Sequence, residues 1–177
     1  MLKTSRAFVT ILILALFYTP SGCAKSEKAK GDEFYRKKDY QNALIQYEKA
    51  IQKNPSDKDA LEGYALSLYK KSQNEAATPE NWKRVADALE KANSAKPSEE
   101  LKLALAHSYF MLAMSYNMKG EQNNAIEEMK KAIAIDPSNP QYHLNLFMIY
   151  QKAGMKEEAL EEMRIYKNLT GGEKKKP

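Results

Sequence analysis

One short pattern occurs three times in this chain of 177 residues and constrains its fold more than any other feature. Each copy reads Lys-Ala, four variable residues and Pro-Ser, and the copies occupy residues 49–56, 91–98 and 131–138. The last part of the chain also repeats at a spacing of 34 residues, at which Gly120 and Gly154 correspond. Self-similarity at such a period is the signature of an array of stacked units. The chain is therefore predicted to be a repeat protein with insertions between its units.

Helical spacing is visible inside each unit. Ala43, Tyr47 and Ala50 stand at i, i+4 and i+7, which places them on one side of a helix. The following Pro-Ser ends that helix, because proline cannot continue a helix and biases the residue before it away from helical geometry. The predicted helices lie near residues 25–37, 40–53, 57–72, 79–95, 99–118, 121–135, 140–152 and 155–169.

This pattern resembles the tetratricopeptide repeat, a helix–turn–helix unit of 34 residues. That family places small and aromatic residues in the first helix, two alanines around a large apolar residue in the second, and a proline after it. Phe147 and Tyr166 depart from the pattern in the fourth unit. The matching structural positions are Gly31, Ala43, Ala50, Pro55, Ala65, Ala92, Pro97, Ala113, Ala125, Ala132, Pro137 and Ala159.

The resemblance implies an all-α fold, a right-handed α-solenoid of about four helix–turn–helix hairpins. One insertion falls between Ser72 and Glu80, and the other is expected to lengthen the first helix of the third unit back to about Glu99. Residues 172–177 are predicted to form a basic, disordered tail. The repeat domain is expected to cover residues 23–171, with repeats near 24–57, 58–99, 100–139 and 140–171.

The first 22 residues have the composition of an export signal. Lys3 and Arg6 precede an apolar run over residues 7–18. Twelve helical residues span about 18 Å, whereas a bilayer core needs about 20 residues. The run is thus short for a transmembrane helix and suits the apolar middle of a secretory signal.

The end of this segment resembles a bacterial lipoprotein signal. Ser21 and Gly22 are small and directly precede Cys23, the only cysteine of the chain, although Pro20 stands where the family usually has leucine. The resemblance implies cleavage before Cys23 and attachment of acyl chains such as palmitate to that residue. It further implies export to the cell envelope, and Ala24 points to the outer membrane, facing the periplasm.

Charge and composition exclude several function classes. The net charge is +5, but without the signal and the tail the folded body is near +1, which argues against a nucleic-acid binder. A single cysteine excludes a disulfide framework and a cysteine-based zinc site. His107 and His143 stand without metal-ligand spacing, and acid pairs such as Glu161-Glu162 suggest a solvated outer face. The sequence therefore predicts a non-catalytic protein without metal or cofactor.

Methionine is concentrated in the C-terminal half, where seven of the eight methionines fall between Met111 and Met163. A second apolar stripe runs along the helix near 99–118, and a helix that is apolar on two sides needs two partners. By the resemblance, the concave side of the solenoid is polar at its N-terminal end and apolar toward its C-terminus. The candidate groove residues are Tyr35, Tyr69, His107, Phe110, Met111, Met114, Met118, Leu144 and Met148.

These observations predict a membrane-tethered scaffold that binds a peptide or helix of a partner protein in its concave groove. Two other interpretations of the methionine-rich stripe stay open: side chains that fill the core, and a surface for self-association. At the level of function, the alternatives are a self-associating structural lipoprotein and an accessory subunit of an envelope enzyme. Flexible thioether side chains suit surfaces that accept varied apolar partners, which favours the groove.

Overall fold

The computed structural model describes residues 25–171, which form eight α-helices and contain no β-strand. Every helix begins and ends within two residues of its predicted bounds. The predicted signal, Cys23 and the basic tail lie outside the described residues. The helices are α1 (Glu27–Arg36), α2 (Tyr40–Lys53), α3 (Lys58–Ser72), α4 (Pro79–Ala95), α5 (Glu99–Lys119), α6 (Gln122–Ile135), α7 (Pro140–Lys152) and α8 (Lys156–Gly171).

Polar caps fix where the helices begin. The side chain of Asp57 accepts a hydrogen bond from the amide of Ala60 at 3.0 Å, and Ser98 accepts one from Leu101 at 3.2 Å. Such caps satisfy amides that have no partner within the helix. Pro79 stands in the first turn of α4, where its missing N–H costs nothing.

The first, third and fourth hairpins share one turn geometry between their two helices. Gly120 and Gly154 follow α5 and α7 with φ of +82° and +75°. Lys38 takes the equivalent place after α1 at φ +59°, as a non-glycine residue in the left-handed region. In each turn the next amide donates a hydrogen bond to the carbonyl five residues earlier, as in Glu121 N–H to the carbonyl of Tyr116 at 3.0 Å.

Successive helices pack against each other along the chain, and first helices also meet first helices. α1 contacts α3, and α3 contacts α5, in addition to the contacts between sequence neighbours. The hairpins therefore stack side by side, with α1, α3, α5 and α7 on one side of the stack. This is the predicted right-handed α-solenoid of four hairpins.

Small residues at the helix crossings form the predicted structural stripe. Gly31 and all eight predicted alanines are buried, whereas the three predicted prolines lie exposed at the ends of α2, α4 and α6. The largest fully buried side chains include Trp82, Leu89 and Met129. One continuous apolar core thus extends from α2 to α8.

Tyr47 is held between two glycines. A Cβ on Gly31 would lie 2.8 Å from the Tyr47 ring, and a Cβ on Gly63 would lie 2.3 Å from it. The buried Tyr47 hydroxyl donates a hydrogen bond to Asp32 at 2.8 Å. The absence of side chains at both glycines lets this ring from α2 lie between α1 and α3.

The insertion before the third unit has the predicted effect. α5 begins at Glu99 and, with 21 residues, is the longest described helix. α4 has 17 residues, and Lys119 at the end of α5 forms an ion pair of 2.9 Å with Glu80 in the first turn of α4. The inner side of the third hairpin is therefore longer than that of the other three.

Candidate partner-binding groove

One side of α5 is apolar and lies at the edge of the core, partly open to solvent. Its residues recur at intervals of three or four along the helix: Leu103, His107, Phe110, Met114 and Met118, here called the α5 stripe. Leu103 is 50% exposed and Met118 is 68% exposed, while the three residues between them are half-buried. From Leu103 to Met118 the stripe covers 16 residues, and its 15 steps of 1.5 Å give a length of about 22 Å.

The opposite side of α5 is buried as well. Leu101, Ala104, Leu105, Leu112 and Ala113 belong to the core, and their exposed fractions do not exceed 7%. α5 is thus apolar around its whole circumference, which is typical of a helix surrounded by protein. Along the α5 stripe only the two ends, Leu103 and Met118, are exposed, and neighbouring residues cover part of its middle.

Aromatic rings connect the α5 stripe to the neighbouring helices. The centroids of Tyr69 and His107 are 5.7 Å apart, and those of His107 and Phe110 are 6.0 Å apart. Phe110 stacks on Tyr142 of α7 at 5.4 Å, and Trp82 of α4 packs edge-on against His107 at 6.0 Å. Such aromatic pairs contribute about 0.5–1.5 kcal/mol each beyond burial. They fix α3, α5 and α7 relative to one another under the groove.

His107 acts as an apolar ring in this setting. Burial lowers the pKa of its imidazole, so the ring is neutral at pH 7. Its Nδ1 and the Nε1 of Trp82 are buried and have no hydrogen-bond partner among the described residues. Burial also raises the pKa of Tyr142 to about 12, so its phenol stays protonated. The middle of the stripe therefore carries no charge.

The predicted groove methionines divide into two kinds. Met111 and Met114 are half-buried and pack against the core, whereas Met118 and Met148 are exposed to 68% and 40%. Leu144 on α7 is half-buried. These side chains thus border the core on one side and open space on the other. That they bind a partner stays a prediction.

The N-terminal end of the inner side is polar. Lys96 forms ion pairs with Asp59 at 2.7 Å and Glu62 at 2.9 Å, and Lys28 pairs with Asp32 at 2.9 Å. The hydrogen bond to Lys96 holds the pKa of Asp59 below its usual range. These groups line a shallow cavity of about 370 Å³ that Tyr35 also borders. These five charged side chains therefore already have partners within the chain.

A buried polar pair in the last hairpin was not apparent in the sequence. His143 Nδ1 lies 2.7 Å from Glu162, and its Nε2 lies 3.0 Å from the carbonyl oxygen of Pro137. The expectation that Glu162 belongs to a solvated face is wrong, since its side chain is only 16% exposed. Glu128 is also mostly buried, at 14%. The pairing depends on how α8 folds back on α7, which spacing along one helix does not reveal.

The described residues contain no cluster of three or more histidine, cysteine, aspartate or glutamate side chains that could hold a metal ion. Nor is any helix between residues 25 and 171 both long and apolar enough to cross a membrane.

Comparison with known sequences identifies the repeat. A model described as tetratricopeptide repeat matches residues 28–100, and a second, described as TPR repeat, matches residues 115–154. The chain belongs to the tetratricopeptide repeat family. No curated protein sequence matches it at a significant level.

Solved structures similar to this tetratricopeptide chain include several of MamA. The MamA RS-1 ArsTM double mutant is 23% identical with a TM-score of 0.52, over 82% of this chain and 74% of that one. MamA AMB-1 in its P212121 form is 17% identical with a TM-score of 0.54, over 82% and 72%. MamA MSR-1 is 17% identical with a TM-score of 0.52, over 83% and 76%. At these identities the similarity shows a shared fold.

Proposed function

We propose that this tetratricopeptide protein is a membrane-tethered scaffold that binds a segment of a partner protein along the α5 stripe. Members of the family are protein-interaction scaffolds, and the fold here is theirs. The observation that carries the proposal is the apolar side of α5, which is exposed at both ends and half-buried between them. An apolar surface of this kind gains free energy when it is removed from water, about 25 cal/mol per Å². A partner that covers the stripe would supply that gain.

The groove residues suit a role in binding. Met118 and Met148 are exposed on neighbouring first helices, and thioether side chains adapt their shape to varied apolar surfaces. The aromatic rings beneath them hold the floor of the groove in place. A rigid floor with flexible side chains on top can accept a partner without a large loss of backbone entropy. No catalytic role is proposed for these residues.

The tether is proposed at Cys23. The first described helix begins at Glu27, so only three residues would separate the lipidated cysteine from the solenoid. Each buried methylene of an acyl chain contributes about 0.8 kcal/mol, and two or more chains anchor a protein stably. The scaffold would then hold its partner close to a membrane surface of the bacterial envelope, with the outer membrane facing the periplasm as the proposed location.

Substitution of exposed groove residues tests the binding role. Met118→Glu and Met148→Glu change side chains that are already 68% and 40% exposed, so the fold should tolerate both. Crosslinking in cells followed by purification should recover the wild-type partner and at most one tenth of it with the double variant. Leu160→Glu and Ile45→Glu are matched controls at 70% and 38% exposure, outside the stripe, and should retain the partner. If the groove variants recovered as much partner as the control variants, the α5 stripe would not be the binding site.

Metabolic labelling tests the tether separately. Cells that are fed an alkyne analogue of palmitate should label the wild-type protein, and Cys23→Ser should abolish the label because the chain has no other cysteine. The variant should also shift from the membrane fraction to the soluble fraction. A Cys23→Ser protein that still carries the label would show that the lipid is attached elsewhere.

A further inference from the structure

We infer that the partner segment is an amphipathic α-helix of about four turns that lies antiparallel to α5. Its acidic N-terminal turn would meet the C-terminal end of the α5 stripe, and its basic C-terminal turn would meet the N-terminal end. This inference rests on the proposed function and adds the conformation, length and direction of the segment.

The chemistry of the floor favours a helix over an extended peptide. The stripe from Leu103 to Met118 offers apolar side chains and one buried, unpartnered imidazole nitrogen, that of His107. An extended peptide would lay unpaired N–H and C=O groups on this surface, and such groups are costly to bury. A helix satisfies its backbone internally and presents only side chains.

The spacing of the side chains along the stripe also favours a helical partner. Its side chains follow one another at intervals of one helical turn, about 5.4 Å. A partner helix repeats its apolar side chains at the same interval, whereas a strand repeats them on one face about every 6.8 Å. Over the four intervals from Leu103 to Met118 a strand would fall about 5 Å out of register. The length of the stripe, about 22 Å, corresponds to a helix of about 16 residues.

Charges at the two ends of the stripe set the direction. Glu99 and Glu100 stand in the first turn of α5, and no cation lies within ion-pair distance of Glu100 among residues 25–171. At the other end, Lys119 in the last turn is already paired with Glu80 at 2.9 Å, whereas Lys152 of α7 donates a hydrogen bond to Asn117 at 3.2 Å. Lys152 has no carboxylate partner in the described part of the chain.

Helices in general carry acids in the first turn and bases in the last, because these complement the helix dipole. A partner helix parallel to α5 would place its acidic turn beside Glu99 and Glu100. An antiparallel helix places that turn beside Lys152 and its basic turn beside Glu100, the two charges at the ends of the stripe that have no ion-pair partner among the described residues. The antiparallel arrangement also aligns the two helix dipoles favourably.

The test uses a synthetic helix of about 16 residues as the probe. It carries a leucine stripe at helical spacing, two glutamates in its first turn and two lysines in its last turn, with a lactam staple on the polar side. The full-length protein in lipid nanodiscs carries a benzoylphenylalanine photocrosslinker in place of Leu103 or Met118, both at least half exposed. Mass spectrometry identifies which half of the probe is attached to which site.

The inference expects Met118-site crosslinks in the N-terminal half of the probe and Leu103-site crosslinks in its C-terminal half, each at least fivefold over the other half. A photocrosslinker at Leu160 should attach no probe. The opposite pattern, or an even one, would overturn the direction. An unstapled peptide of the same composition with two central prolines should not crosslink, and efficient crosslinking of it would overturn the helical conformation.

The charges of the groove provide a second readout. The variant with Glu100→Lys and Lys152→Glu should lower the preference of the Met118 site for the N-terminal half of the probe by at least threefold. An unchanged preference would show that charge does not set direction. If no probe crosslinks at all, the inference fails, while recovery of the cellular partner with Met118→Glu still decides the proposed function on its own.

Discussion

Two glycines illustrate how single residues position the inner side of this solenoid. Gly31 and Gly63 leave room for the ring of Tyr47, which fills the space between α1 and α3. Glycine within a helix normally costs about 0.5–1 kcal/mol relative to alanine. Here that cost is outweighed, because any side chain would displace the ring and with it the hydrogen bond to Asp32.

Gly63→Ala is therefore expected to destabilise the protein by about 1–3 kcal/mol through overpacking, despite the better helix propensity of alanine. Chemical denaturation followed by circular dichroism measures the free energy of unfolding. Gly171→Ala serves as the control, because a Cβ there meets nothing within 4 Å. A Gly63→Ala protein as stable as this control would contradict the contact with Tyr47.

His107 should make stability depend on pH. Burial lowers the pKa of the folded state below the ordinary value of 6.5, so the unfolded chain binds protons more readily. The free energy of unfolding should thus fall as the pH drops through about 6.5 and should not change from this group above it.

His107→Phe removes this contribution and the unpartnered Nδ1 while it keeps the aromatic contacts with Tyr69 and Phe110. Denaturation of both proteins at about pH 8 and pH 5.5 should show a smaller loss of stability in the variant. All other side chains are the same in both proteins, so their contributions cancel in the comparison. An equal loss in both proteins would mean that His107 takes up a proton as readily in the folded protein as in the unfolded chain.

At the scale of helices, the alanine stripe decides how closely neighbours approach. Ala132 on α6 is fully buried, while Ala134, two residues later, is exposed. The same helix therefore offers a packed position and a free position of identical chemistry.

Ala132→Leu is expected to lower the free energy of unfolding by about 1–3 kcal/mol, because three extra carbons must be accommodated where α6 meets its neighbours. Ala134→Leu should change it by less than about 0.5 kcal/mol, as is usual at exposed positions. Thermal melts of the two variants beside the parent would reveal the difference. Identical melts would show that the helices are paired differently.

The positions of the helices could be predicted from the sequence because their signals are local. A proline cannot continue a helix, so Pro55, Pro97 and Pro137 each mark the end of the preceding one. Gly120 adopts a left-handed backbone conformation that most other residues avoid. The contacts of the groove are not local. Tyr69, His107 and Phe110 were candidates, but their ring contacts depend on the register between α3 and α5, which the insertions alter.

Other parts of the site needed the structure for the same reason. Leu103 extends the α5 stripe by one turn on the N-terminal side of His107. The spacing of the two residues is visible in the sequence, but the exposure of the Leu103 side chain is not. Trp82 and Tyr142 reach the stripe from α4 and α7, at distances along the chain that no helical period predicts. Glu162 finds His143 across a hairpin in the same way.

At the scale of the whole molecule, the proposed function predicts that the protein alone is a monomer. The α5 stripe lies beside Tyr69 and Tyr142 of the flanking helices, on the inner side of the stack. For the stripe to be covered by a second copy, two such inner sides would have to come together.

Native mass spectrometry of the full-length protein released from detergent micelles should accordingly record a monomer over the micromolar range. Met118→Glu should leave that mass distribution unchanged. If the wild-type protein were a dimer and the Met118→Glu variant a monomer, the stripe would bind a second copy of the chain. That result would support the self-associating alternative.

The unusual length of α5 has a consequence for how this scaffold could change. The first helices of the other hairpins have 10, 15 and 13 residues, whereas α5 has 21. Solenoids commonly distribute a binding surface over several repeats, so that each contributes a small share. Here most of the proposed binding surface lies on one long helix, so we expect a few substitutions on α5 to change which partner it binds while the packing of the other hairpins is preserved.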